Sequence, residues 1–128
     1  MIVVDSSALI EIILDAPAAE ACMEALEAAK EVLISAGTMT ECLIVAFGHE
    51  AERPLGDLFD HFGLTVIPLT EARARAAGQS YKQYGRGWHA AGLNFGDCFA
   101  YALAKEHGCP LLFIGDDFAK TDVVSALA

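Results

Sequence analysis

Apolar positions along this chain switch repeatedly between the period of two that marks a strand and the period near 3.6 that marks a helix. Ile2–Val4 is a short β-branched run ended by Asp5, and SSALIEIIL then places Ala8, Leu9, Ile12 and Ile13 at helical spacing, so a strand feeds a helix. Pro17 is placed to open a second helix through APAAEACMEALEAAK, where Cys22, Met23 and Leu26 recur on one face. VLIS, 32–35, reads as the next strand. Residues 38–48 return to helical spacing through Met39, Cys42, Leu43, Ala46 and Phe47, with Thr38 as the N-cap and Gly48 as the stop.

The second half repeats the alternation. PLGDLFDHF, 54–62, sets Leu55, Leu58, Phe59 and Phe62 on one helical face, and LTVIP, 64–68, is a strand closed by its proline. Thr70 caps a helix that Gly85 stops. A glycine-punctuated loop, 85–96, leads into the apolar helix DCFAYALAKEH, which Gly108 and Pro110 end before the strand LLFI. Strands that alternate with helices predict an α/β fold: a central, mainly parallel sheet flanked by helices, with 1–128 forming one domain. No repeat, low-complexity tract or shift in composition marks a second one.

Composition narrows the function classes. At 55% hydrophobic residues and mean hydropathy +0.41 the chain can bury a sizeable core. Lys105, Glu106 and His107 interrupt the most apolar region before it reaches the roughly 18 residues of a membrane span, and the reading is a soluble, cytoplasmic protein. Cys22, Cys42, Cys98 and Cys109 lack CxxC spacing and sit among apolar neighbours, which points to reduced core thiols and away from zinc. Eight basic against eighteen acidic residues give a net charge of −10, so nucleic acid must be met at a local patch and a basic partner or bound cations are favoured.

The acids are placed unusually. Asp5 ends the first strand, Asp116 and Asp117 follow LLFI, Asp97 falls in the first turn of its helix and Glu41 near the start of another. In a parallel sheet the ends of strands and the starts of the helices that follow share the carboxyl edge, where open α/β sheets bind ligands. Taken singly, each acid has an ordinary explanation as a helix cap, a first-turn charge or a half-exposed helix residue. Together they crowd like charges into one cleft, which a divalent cation neutralises. An all-oxygen ligand set favours Mg²⁺ or Mn²⁺, and such an ion suits phosphodiester hydrolysis without a serine, cysteine or histidine nucleophile.

DSSAL after the first strand, the glutamate near position 41, YGRGWHAAGLNFGDCFAYALA and LLFIGDDFAKTDV together resemble the PIN-domain ribonuclease toxins of the VapC family, from Met1 to about Val124. The resemblance implies a PIN fold with Asp5, Glu41 and Asp97 as metal-site acids, and Asp117 ranked above Asp116 as the fourth. Ser7 matches the hydroxyl residue of the family's opening motif and Asn94 its LN[FY]GD run; both are supporting residues, Asn94 as a cap or as an orienter of the Asp97 carboxylate. It further implies an endoribonuclease acting on tRNA or another structured or single-stranded RNA, a homodimer, and inhibition by a cognate VapB-type antitoxin in a hetero-oligomer.

Arg86 and Trp88, on the loop leading to Asp97, come first as RNA contacts, followed by Arg73 and Lys120, with Arg75, Lys82, His89, Tyr81 and Tyr84 behind them. Solvated helix charges and ordinary aromatics explain most of these equally well. The apolar faces of 39–47 and 55–62 exceed what one small core absorbs and offer a dimer surface. Two other readings stay open: a PIN-like module that binds RNA or protein without cleaving, and a receiver-type phosphoacceptor. The receiver lacks its second acid beside the first strand, and Lys120 is the nearest lysine after LLFI.

Overall fold

The computed structural model describes residues 1–127. Four strands, β1 (Ile2–Val4), β2 (Val32–Ser35), β3 (Thr65–Ile67) and β4 (Leu111–Leu112), form one sheet in the order β3-β2-β1-β4 with every pairing parallel. Six α-helices connect them: α1 (Ser6–Ile13), α2 (Ala19–Ala28), α3 (Ala36–Gly48), α4 (Glu52–Phe62), α5 (Glu71–Tyr84) and α6 (Phe95–His107). The chain winds outward from β1 to β3 and then returns to the far side of β1 for β4. This reversal makes the β1/β4 crevice a topological switch point, the place where such sheets bind ligands.

The pleat divides the core. Val4, Ile34 and Leu112 point to the face covered by α1–α4, while Val3, Leu33 and Leu111 point to the face covered by α5 and α6. Along β1, β2 and β4 both faces are buried, so these strands are apolar at every step but Ser35, while the edge strand β3 is mostly exposed.

Several element boundaries differ from the sequence reading, α4 starting at Glu52 and β3 spanning only Thr65–Ile67, and four of them have a clear local reason. Helix α3 starts at Ala36 because Ser35, the last strand residue, accepts from the Gly37 N–H and caps it; Thr38 lies inside the helix and is buried. Helix α6 starts at Phe95, two residues before Asp97, because Asn94 is the cap. Pro17 precedes α2 in a turn and the helix begins at Ala19, with the Ala18 N–H bonded to the Glu11 carboxylate at 2.9 Å. LLFI contributes only Leu111 and Leu112 to the sheet, since the Ile114 N–H turns to the Ser7 hydroxyl at 3.0 Å. The apolar face of 55–62 is absorbed by the core, through Leu55, Leu58, Phe59 and Phe62; only the 39–47 face leaves large apolar groups out, at Leu43, Ile44 and Phe47.

Candidate metal centre

Asp5 is fixed first. Its backbone N–H pairs with the Leu112 carbonyl at 2.9 Å, so the residue sits at the β1/β4 crevice. Its Oδ2 accepts from the Ser7 N–H at 3.1 Å and from the Ser7 hydroxyl at 2.7 Å, which makes it the N-cap of α1. The same Ser7 hydroxyl accepts from Ile114, tying the β1 acid to the segment after β4. The other carboxylate oxygen, Oδ1, is buried and has no hydrogen-bond partner. A side chain only 2% exposed with one bare oxygen is costly as an anion, and burial pushes its pKa up to about 7 against the two Ser7 hydrogen bonds, with smaller pushes from Asp97 and Glu41.

Asp97 enters from α6. Asn94 and Asp97 form a reciprocal capping box: the Asn94 side chain accepts from the Asp97 N–H at 2.9 Å and Asp97 Oδ2 accepts from the Asn94 N–H at 3.0 Å. Asn94 thus both caps the helix and orients the carboxylate. Burial raises the Asp97 pKa to about 6, the Asn94 hydrogen bond opposes this, Asp117 and Glu41 add to the rise and Arg86 lowers it. The helix N-terminus favours an anion here, yet desolvation wins.

Glu41 comes from the second turn of α3. Its Oε1 accepts from the Ser6 hydroxyl at 2.8 Å, and the carboxylate lies across Gly96 in the first turn of α6. A Cβ at Gly96 would stand 2.5 Å from Glu41 Oε2, so only glycine lets the glutamate reach this point. Asp117 is exposed but near enough to raise Asp97, whereas Asp116, also exposed, is not among the charges that Asp5 or Asp97 feel. Asp5 thus feels the charges of Asp97 and Glu41, and Asp97 those of Asp117 and Glu41, four acids drawn from four elements.

The sequence reading gave no part to Gly96 and gave Thr38 only a capping one. The Thr38 hydroxyl is fully buried and unpartnered. Thr38 and Cys42 are one helical turn apart on α3, and the Cys42 thiol is pushed up to about 12 by burial and then by the charges of Asp5 and Glu41. No sequence signal distinguishes this threonine from a cap.

Of the four leading RNA-contact residues, Arg86 is the one whose charge reaches the acids. Arg73 is committed elsewhere: its guanidinium holds Glu106 by two hydrogen bonds at 3.0 Å and donates to the Pro68 carbonyl. Trp88 is exposed, donates its indole N–H to the Tyr81 carbonyl at 3.1 Å and meets the Tyr81 ring edge to face. Lys120 is exposed at the end of a short 3₁₀ turn after Asp117.

Among the described residues no three His, Cys, Asp or Glu side chains already stand close enough to enclose an ion. The donor set nonetheless fits a hard cation: every group is a carboxylate, one oxygen is buried and bare, and the two most buried acids are held back from ionising. Ser6, Ser7 and Asn94 each hold one of these carboxylates, those of Glu41, Asp5 and Asp97, through a single oxygen.

An all-parallel α/β domain with an acidic switch-point crevice is the class that fold and site define. The model of the PIN domain matches residues 2–124, and the chain belongs to the PIN domain family. Ribonuclease VapC30 of Mycobacterium tuberculosis is 40% identical over 126 residues, covering 96% of each chain. Among solved structures, VapC20 of Mycobacterium tuberculosis, described as a sarcin-ricin loop cleaving toxin, superposes with TM-score 0.78 at 15% identity over 97% of each chain. A toxin–antitoxin complex from Klebsiella pneumoniae gives TM-score 0.74 at 21% identity over 98% of each. The structural likenesses show the PIN fold, and family membership sets aside the receiver reading.

Proposed function

We propose that this chain is the ribonuclease toxin of a type II toxin–antitoxin pair, an Mg²⁺- or Mn²⁺-dependent endonuclease that hydrolyses phosphodiester bonds of tRNA or another structured RNA. One observation carries the metal dependence: the Asp5 carboxylate is buried with a bare oxygen beside Asp97 and Glu41, a placement that a divalent cation makes tolerable. Asp5, Glu41, Asp97 and Asp117 are the ligands of that ion. When bound, it supplies activation of water and neutralisation of charge at phosphorus. In the overall reaction water adds to phosphorus, one P–O bond of the diester breaks, and a phosphomonoester and a hydroxyl end remain.

The residues of the chain prepare that step. Ser7 holds Asp5 Oδ2 and leaves Oδ1 turned inward, Ser6 draws Glu41 across Gly96, and Asn94 fixes the Asp97 carboxylate. The Thr38 hydroxyl, buried and without a hydrogen-bond partner, would be free to hold a water beside the ion. Arg86 brings the nearest positive charge to the crevice, where a phosphate arrives.

Support for the biological setting comes from relatives named as VapC ribonucleases and from the toxin–antitoxin complexes of the same fold. A VapB-type antitoxin with a basic tail suits a chain of net charge −10. Leu43, Ile44 and Phe47 on α3 supply apolar surface for a homodimer. No helix among the described residues is long and apolar enough to cross a membrane, and a cytoplasmic location is part of this proposal. The test is cleavage of total tRNA by the parent, Asp5→Ala and Asp97→Ala, each with Mg²⁺, with Mn²⁺ and with EDTA. The parent cuts only with metal and the variants do not; equal cleavage by all three proteins defeats the reading.

A further inference from the structure

A groove of about 750 Å³ is lined by residues of α5 and α6 together with Arg86 and Asn94, the latter bonded to Asp97. Its mouth is formed by Arg86 and Asn94, the cation that Asp97 feels and the residue that caps it. Its walls are aromatic: Tyr81 on α5, Phe95 and Phe99 on α6. Phe95 is 79% exposed although it is one of the largest apolar side chains in the molecule, and it meets Phe99 edge to face at 5.0 Å. Its floor includes Gly78, in the middle of α5, where an added Cβ would meet nothing within 4 Å. Glycine costs about 1 kcal/mol against alanine at such a helix position, and here it leaves the groove clear.

We infer that this groove takes an unstacked nucleobase of single-stranded RNA, the one next to the bond that is cut. The inference rests on the ribonuclease reading above and names a subsite for it. A nucleotide is the ligand whose two parts match the groove's lining: a phosphate for Arg86, and a flat π-face for Phe95 and Tyr81. Base–aromatic stacking of this kind tolerates any base, so selectivity falls to Asn94, which can offer its amide N–H₂ at the mouth. A basic peptide fits less well, because Arg86 at the entrance repels it while attracting phosphate.

The experiment uses a fluorescein-labelled single-stranded RNA of about twelve nucleotides, within the span such proteins cover, that the parent cleaves at a mapped bond. Binding is read by anisotropy in EDTA, where nothing is cut, and cleavage separately in Mg²⁺. Gly78→Leu fills the groove from an exposed helix position and Phe95→Ala removes its wall; each weakens binding roughly 10-fold, as expected for the loss of one stacked base. The same RNA made abasic at the nucleotide flanking the cut loses roughly as much with the parent and nothing more with Gly78→Leu. Equal binding of intact and abasic RNA by the parent overturns the inference. So does a Gly78→Leu protein that binds RNA normally but no longer binds its antitoxin, which gives the groove to a protein partner. Where the parent cuts no RNA in Mg²⁺, an abasic site moved position by position through the same RNA replaces the mapped one: a single position that costs the parent binding and costs Gly78→Leu nothing more defeats the nuclease reading and spares the base subsite.

Discussion

The two ends of α6 carry acids in opposite states. At the N-terminal end the Asp97 pKa is raised to about 6 although the helix dipole there favours an anion; at the C-terminal end Glu106 is held below the ordinary carboxylate value although the dipole there opposes one. Glu106 has Arg73 across from it with two hydrogen bonds, and nearby Asp122 has Tyr101 and Lys105. Asp97 has Asn94, two other carboxylates and only the distant charge of Arg86. Local partners and burial outweigh the helix field: Glu106 and Asp122 each have a cation in hydrogen-bond contact, whereas Asp5 and Asp97 have none, which is the arrangement the metal proposal builds on.

The largest expected effect follows from Asp5. Its folded pKa of about 7 lies above the 3.8 of an ordinary aspartate, so folding takes up a proton in that window; the associated stability is full below about pH 4 and is lost as pH rises through 7. Asn at position 5 removes the ionisation and keeps a capping side chain. In EDTA, chemical unfolding of Asp5→Asn and parent therefore coincides near pH 4 and separates in the variant's favour above pH 7, by several kcal/mol at about 1.4 kcal/mol per pKa unit. A parent as stable as the variant at pH 8 breaks the contrast between the two ends.

Thr38→Val comes next. It removes a buried hydroxyl without a partner and keeps the shape, so the metal-free protein gains about 1–3 kcal/mol. Catalysis falls about 10–100-fold, the range seen when a group supporting a metal ligand is lost, and Thr38→Ser restores it. A valine variant that is both more stable and fully active reduces Thr38 to a packing residue.

Gly96→Ala isolates Glu41. Alanine improves the helix by up to about 1 kcal/mol but displaces a carboxylate that lies 2.5 Å from the new methyl. The melting temperature in EDTA holds or rises while Mn²⁺ affinity drops roughly 10-fold. The smallest effect belongs to the far end: Glu106→Gln, at an exposed pair, leaves the melting temperature within about 2 °C of the parent and Mn²⁺ binding unchanged.

How far the sequence reached depended on whether a feature is set by the chain's direction or by distant neighbours. That Asp5, Glu41 and Asp97 lie near enough to feel one another's charge was legible because strand ends and following helix starts share one edge in any parallel sheet. The choice of Asp117 over Asp116 rested on a family motif; the fold adds that only Asp117 is felt by Asp97. Caps hid at the joins: Ser35 reads as the end of a strand, and Thr38 looks like the better cap until α3 is seen to begin before it. Gly96 and Arg73 were not legible at all, since their roles depend on Glu41 and Glu106, far away in the chain.

The most direct measurement is a thermal-shift titration with Mn²⁺ at pH 7.5 on the parent, Asp5→Asn and Asp97→Asn. Ligand that binds only the folded state raises the melting temperature with concentration. The account predicts a large, saturating rise for the parent and little or none for either variant, both of which start from a higher metal-free value. A parent that does not respond to Mn²⁺, or variants that respond as the parent does, contradicts it.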